Sequence, residues 1–155
     1  MPPSFAAERT LGKLAKWLRL LGFDAILETE MPRGGFPDAA GPERTVLVRS
    51  RKLAKVKSVV WIRSNDPLDQ LRELAAGRRI ARGDFRPFTR CLRCNAPVER
   101  VPRAEVQGLV PDYVWEVQAV FSRCPECRRI YWRGSHTQRA MERVERVFGA
   151  EGGGW

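Results

Sequence analysis

Histidine is nearly missing: the 155 residues contain a single one, His136. One imidazole and no cysteine outside two close pairs leave little for His-assisted nucleophilic catalysis. No apolar run approaches the ~20 residues that span a bilayer, so no membrane partner is expected. The opening Met1-Pro-Pro-Ser-Phe-Ala-Ala7 lacks a secretory leader pattern, and a cytoplasmic location is expected. In that compartment the four cysteines point to metal or redox chemistry more than to structural disulfides. Acid is also short. Asp and Glu number 18 against 28 Lys and Arg, a formal net charge of +10. Such an excess favours polyanions, chiefly nucleic acid. The cations come in blocks: seven basic residues and no acid from Arg44 to Arg63, then six arginines and one acid from Arg78 to Arg93.

What is present reads as an α/β chain. Hydrophobic residues make up 43% of it, enough for a core. Short apolar segments at Ser4–Ala7, Phe23–Leu27, Thr45–Val48 and Ser58–Ile62 have the look of buried strands. Leu11, Leu14, Ala15, Leu18 and Leu21 repeat at helical spacing, with Arg9, Lys13, Lys16 and Arg19 assigned to the polar face and Gly22 as the stop. Asp66-Pro67 starts a second helix with Leu68, Leu71, Leu74 and Ala75 on its stripe. Ser50–Lys57 reads as a short basic helix, and Met31–Pro42, rich in proline and glycine, as an irregular loop. Ser135–Phe148 reads as a closing helix with Met141, Val144, Val147 and Phe148 on one face, followed by a frayed tail over Glu151–Trp155. Strands alternating with helices predict a parallel sheet flanked by helices.

The strongest chemical signal is Cys91-Leu-Arg-Cys94, 29 residues, then Cys124-Pro-Glu-Cys127. Two Cys-x-x-Cys pairs supply four thiolates for a tetrahedral ion, best zinc. A thiol–disulfide pair or a four-sulfur iron site are the chemical alternatives. Four cysteines close the coordination sphere, so the ion is structural, and it adds folding energy to a segment with little core of its own. Arg93, Arg123 and Arg128 stand near to balance thiolate charge. His136 lies at a helix start, with Ser135 or Thr137 as the cap, which accounts for it without a metal. Trp61, Phe85, Phe88, Tyr131 and Trp132 are candidates for base stacking, with core packing the simpler role for Trp61.

Four segments together resemble the Mut-seven-C ribonuclease family. They are Phe5 to Asp24 with its Leu11-Gly-Lys-Leu-Ala-Lys-Trp-Leu-Arg-Leu-Leu-Gly22 run, Arg63 to Leu71, Phe88 to Asn95, and Cys124 to His136 with Tyr131-Trp-Arg-Gly-Ser-His136. The resemblance covers nearly the whole chain. It implies a PIN-like nuclease domain over 1–86 followed by a zinc ribbon and C-terminal helix over 87–155. It implies a metal-dependent ribonuclease in which carboxylates at the strand ends hold Mg²⁺ or Mn²⁺ and act on RNA. Carried over residue by residue, the first acid falls on Glu8 and the last on Asp66, with Asn65 beside it. The middle acid falls on Ser50, which has no carboxylate, and Asp38 and Glu28 are the remaining acids nearby. Glu8 and Asp66 are thus the candidate catalytic residues of an eroded acidic centre. Arg49, Arg51, Lys52 and Arg63 are the candidate nucleic-acid contacts. The alternative is a non-catalytic nucleic-acid-binding or adaptor protein on a nuclease fold.

Overall fold

The computed structural model describes residues 2–149; the tail expected to fray at Glu151–Trp155 lies outside the described residues. Ser4–Ala7 (β1) is so short and apolar that Phe5, Ala6 and Ala7 are wholly buried. A strand of that kind belongs inside a parallel sheet. Asp24–Leu27 (β2), Thr45–Val48 (β3) and Val59–Trp61 (β4) join it in the order β2-β1-β3-β4, every pair parallel. The chain leaves β1 for β2 on one side and returns through residues 28–44 to β3 on the other. The carboxyl ends of β1 and β3 therefore flank the switch point, where open α/β sheets place their ligands.

Gly12–Leu20 (α1) follows a 3-10 turn at Arg9–Leu11 and buries Leu14, Ala15 and Leu18. Gly22 ends it at φ +93°, and a Cβ there would stand 2.2 Å from the Arg86 carbonyl oxygen. Only glycine allows both the backbone angle and that approach, which lets the Arg86 N–H donate to the Leu21 carbonyl at 2.8 Å. Pro67–Ala76 (α2) starts on Asp66, whose Oδ1 accepts the amides of Leu68 and Asp69 at 2.9 and 3.1 Å. The expected basic helix at Ser50–Lys57 reduces to a turn with a 3-10 segment at Leu53–Lys55. At helical spacing Lys55 would face both Arg51 and Lys52, and the like charges would repel.

Ser135–Phe148 (α4) packs on α2. Its Met141 and Val144 enter the same core as Phe5, Leu14, Phe23, Leu71 and Leu74. Phe5, Phe23, Phe85 and Phe148 meet edge to face in a chain with ring centroids 5.0–5.9 Å apart. Sequence order groups this helix with the cysteine segment, whereas its apolar face lies in the core of the parallel sheet. Neither Ser135 nor Thr137 caps it through a side chain; the Thr137 hydroxyl instead donates to the Gly134 carbonyl at 2.7 Å.

The cysteine segment forms an antiparallel sheet of Glu99–Val101 (β5), Phe121–Arg123 (β6) and Ile130–Tyr131 (β7), in that order. Between β5 and β6 lie a 3-10 turn at Arg103–Val106 and a helix, Asp112–Val117 (α3). Val106, Val110, Val114 and Phe121 cluster there, so the segment has more core than its composition promises. The Arg103 guanidinium lies 3.7 Å over the Trp115 ring and donates to the Trp115 carbonyl, while the indole N–H returns to the Arg103 carbonyl. Among the described residues no helix is long and apolar enough to cross a membrane.

Candidate metal centre and nucleic-acid interface

The two cysteine pairs fold alike. In each, the second cysteine's N–H points at the first sulfur: Cys94 to Cys91 Sγ at 3.3 Å and Cys127 to Cys124 Sγ at 3.5 Å. In each, the first cysteine's N–H reaches a carbonyl five residues on, Ala96 or Arg129. The residue after each pair, Asn95 or Arg128, turns through positive φ at 67° and 66°. The four Sγ atoms lie within 4.8 Å of one another, and Cys91 and Cys127 Sγ are 3.7 Å apart. A tetrahedral ion with bonds of about 2.3 Å separates its sulfurs by about 3.8 Å. The donor set therefore fits a structural metal ion such as zinc.

The thiols behave unequally. Burial opposes ionisation of Cys91, but the Tyr131 hydroxyl and the nearby backbone N–H groups outweigh it and bring its pKa down to about 7. Cys94 is pushed up to about 12 by burial and by its neighbouring sulfurs, and Tyr131 is pushed up by burial and by Cys91. Four thiolates in this space need a cation among them. His136 is exposed in the first turn of α4 and is no part of the cluster. Arg123 pairs with Glu105 at 3.2 Å.

The first knuckle is fastened to the edge of the parallel sheet. Asn95 Oδ1 accepts the Ala25 N–H of β2 at 3.0 Å, and its amide donates to Asp24 Oδ1 at 2.7 Å. Arg44 clasps both Asp24 oxygens at 2.7 and 3.1 Å. Arg90 joins the Gly22 and Asn95 carbonyls. Arg19, only 2% exposed, runs between α1 and the knuckle. It donates to the carbonyls of Ala25, Leu92 and Arg93 and to Glu30 Oε1 at 2.6 Å. The polar face that helical spacing assigns to Arg19 is thus a buried joint.

Asp24 offers a pH test of this joint. Its burial works to raise its pKa, but Arg44 and Asn95 outweigh burial and hold it below the ordinary aspartate value. A carboxylate with a depressed folded pKa contributes stability that is full above the unfolded value and lost as pH falls through the folded one. Asp24→Asn is expected to cost about 1 kcal/mol at neutral pH, reduced by its partial exposure. In urea titrations the gap to wild type should be constant above about pH 5 and close as pH drops below about 4. A gap that does not change with pH would mean that the charge of Asp24 is idle.

At the switch point stands Glu8, just beyond β1 and 6% exposed. It caps no helix. Its Oε2 accepts the amides of Arg49 and Ser50 at 2.8 and 3.0 Å and the Thr10 hydroxyl at 3.1 Å. The carboxylate thereby ties the end of β1 to the end of β3. Oε1 takes no hydrogen bond, and no buried side-chain oxygen among the described residues lacks a partner, so Oε1 is the oxygen that meets solvent. Glu28, beyond β2, accepts the Arg9 N–H at 3.0 Å and its guanidinium at 3.4 Å. These contacts, the backbone one first, hold its pKa below the usual value. Asp66 lies beyond the end of β4, two strands from β1, where its carboxylate caps α2. Asp38 is exposed in a 3-10 turn of the 28–44 loop. Among the described residues, the only three or more His, Cys, Asp or Glu side chains close enough to share an ion are the four cysteines.

Cations surround this edge. Arg49 reaches Asn65 Oδ1, and its carbonyl accepts the Trp61 indole N–H at 3.3 Å. Arg63 lies 5.2 Å over the Trp61 ring, and its N–H is held by Glu73 at 2.9 Å. Arg51 and Lys52 are exposed in the turn after β3. Trp61 is half-buried and belongs to neither apolar cluster of the described residues. It stands at the strand end, under Arg63. Phe85 is core, Tyr131 serves the sulfur site, Trp132 packs on Phe121, and Phe88 lies under Arg133.

A family model described as the Mut7-C RNAse domain matches residues 3–144. The chain belongs to the Mut7-C RNase family. A search of curated proteins and a search of solved structures gave no significant match. The Mut7-C match runs through both the parallel sheet and the cysteine ribbon. Spacing alone does not pick out Glu73, Asn95 and Arg19 as the residues that position this Mut7-C edge and ribbon. The one signal for Arg19 is its place a turn beyond Ala15, at the margin of the apolar stripe.

Proposed function

We propose that this Mut7-C protein binds single-stranded RNA along the carboxyl edge of its PIN-like sheet, in the cytoplasm, and does not hydrolyse it by a two-metal route. One observation carries the reading. Glu8 spends one oxygen on the amides of Arg49 and Ser50, and among the described residues no cluster of three or more metal-ligating side chains forms around it. Where the family resemblance calls for an acid, Ser50 offers an N–H. Fewer carboxylates in a phosphate-facing crevice mean less repulsion of RNA, and Arg49, Arg51, Lys52 and Arg63 supply contacts. Trp61 offers a face for a base. The residues present do not fit a pair of Mg²⁺ or Mn²⁺ ions.

The open Oε1 of Glu8 favours a second reading, hydrolysis assisted by one divalent ion at Glu8 with Asp66 more distant. Single-turnover assays on labelled RNA, with Mg²⁺ or Mn²⁺ and with EDTA, separate the two. Glu8→Gln keeps an acceptor for the Arg49 and Ser50 amides and is the variant to use. The expected result is binding without cleavage. Affinity should fall about 10³-fold between 50 and 200 mM salt, and about tenfold in Arg51→Ala/Lys52→Ala. Cleavage that needs the added ion and disappears in Glu8→Gln would establish the second reading instead.

A further inference from the structure

A cleft of about 600 Å³ lies between α1 and the cysteine knuckles, with Lys13, Lys16, Arg19, Glu30, Arg93 and Arg129 in its walls. Its charge is lopsided. Lys13, Lys16, Arg93 and Arg129 are exposed, and none of them pairs with a carboxylate among the described residues. The one acid in the wall, Glu30, is taken by buried Arg19 and by the Leu27 N–H at 2.7 Å. Four side-chain cations therefore face the opening with no neutralising partner, in a concave wall that focuses their field.

Position adds a second argument. The Gly12 end of the cleft lies one helical turn from Glu8, and Leu27 and Thr29 line the cleft from the carboxyl end of β2. The cleft thus opens on the β2 side of the same carboxyl edge whose β3 and β4 side is proposed to hold RNA, and it leads from there to the ribbon. A thiolate-balancing role for Arg93 and Arg129 leaves Lys13 and Lys16 unexplained, because these stand on α1.

We propose that this cleft is a phosphate track, in which Lys13, Lys16, Arg93 and Arg129 carry the backbone of single-stranded RNA from the carboxyl edge of the parallel sheet to the ribbon. The proposal rests on the RNA-binding reading above and assigns that RNA its path. No base needs to be read in the cleft, so contacts here add affinity without sequence preference. They also add length dependence. A short oligomer fills the sheet edge alone, and a longer one reaches the cleft and gains the extra phosphates.

The test uses the full, metal-loaded chain and fluorescent single-stranded RNAs of about 4 and about 12 nucleotides, titrated over a range of salt. Lys13→Ala/Lys16→Ala is compared with wild type and with Arg51→Ala/Lys52→Ala at the sheet edge. The expected result is that the α1 variant binds the long RNA about tenfold more weakly, with a salt slope smaller by about 0.7 for each lost phosphate contact. Its affinity for the short RNA should match wild type, while the edge variant weakens both. Wild-type affinity for the long RNA in the α1 variant, with the edge variant impaired, overturns the track and leaves the RNA-binding reading standing. No salt-dependent binding by wild type overturns both. The Arg93→Ala/Arg129→Ala pair is the second variant. If it reproduces the loss on long RNA with an unchanged melting temperature, an effect through ribbon stability is ruled out. If long-RNA affinity stays at the wild-type value, those two arginines are not part of the track.

Discussion

Stripping the metal from the four cysteines, or replacing Cys124 with serine, is expected to melt the ribbon and to lower the melting temperature of the whole chain. The first part follows from the donor set. The sulfurs already stand within 4.8 Å of one another, and ionising them together without a cation is unfavourable, as the opposite shifts of Cys91 and Cys94 indicate. Structural zinc in small Cys-rich modules is worth about 10–16 kcal/mol at neutral pH, far above the ~1 kcal/mol that one exposed ribbon hydrogen bond supplies. The second part follows from the joint. The first knuckle supplies the Leu92 and Arg93 carbonyls that receive Arg19 and the Asn95 side chain that completes the β2 edge. When the knuckle loses its form, a buried guanidinium and an edge-strand amide lose their partners. Metal content should be one ion per chain by elemental analysis. A chelator titration followed by circular dichroism should remove the ribbon signal, and a thermal melt of the stripped chain should show the sheet unfolding at a lower temperature. If the sheet keeps its melting temperature after chelation, the two units are independent and the joint contributes little.

That coupling shows what the chain reveals to inspection and what it conceals. The cysteine pairs are legible because coordination chemistry imposes a spacing: two sulfurs on one tight turn, twice. The parallel strands are legible because a strand buried on both faces must be continuously apolar, as Phe5-Ala-Ala7 and Val46-Leu-Val48 are. The helix stripes of α1, α2 and α4 follow from their period. What stays hidden depends on contacts between distant residues. Nothing near Glu8 indicates that its oxygen will serve amides 41 and 42 residues away. Helix-start statistics favour a cap, whereas the adjacency of β1 and β3 decides otherwise. The packing of α4 also depends on residues distant in sequence. Sequence order places it next to Tyr131, but the apolar face of Met141 and Val144 has its largest complementary surface on α2. The helix α3 is missed because it has only six residues and relies on Val106, Val110 and Phe121 rather than on a period of its own. Its other side leaves Tyr113 and Val117 exposed, with Leu109 exposed in the loop before it, the surface that an adaptor role would use.

Arg19 is the most consequential of the hidden residues, and Arg19→Met tests it. Methionine matches the volume of the stem and keeps helix propensity, so the change isolates the guanidinium. In the wild type that group satisfies the carbonyls of Ala25, Leu92 and Arg93 and pairs with Glu30. Removing one member of a buried ion pair costs about 3–5 kcal/mol, because the partners stay desolvated with nothing to meet them. For a chain of this length that is a fall of about 10 °C or more in melting temperature. Arg19→Lys should recover only part of the loss, since an ammonium cannot reach several carbonyls and a carboxylate in one plane. Glu30→Gln alone should cost less than Arg19→Met, because Glu30 is one-third exposed while Arg19 is not. The double variant Arg19→Met/Glu30→Gln should be more stable than the sum of the two single losses, because the uncompensated carboxylate is gone. If Arg19→Met stays within about 1 kcal/mol of wild type in urea unfolding, water replaces the guanidinium at the joint. Knuckle and sheet edge would then be held chiefly by Asn95 with Asp24 and Arg44.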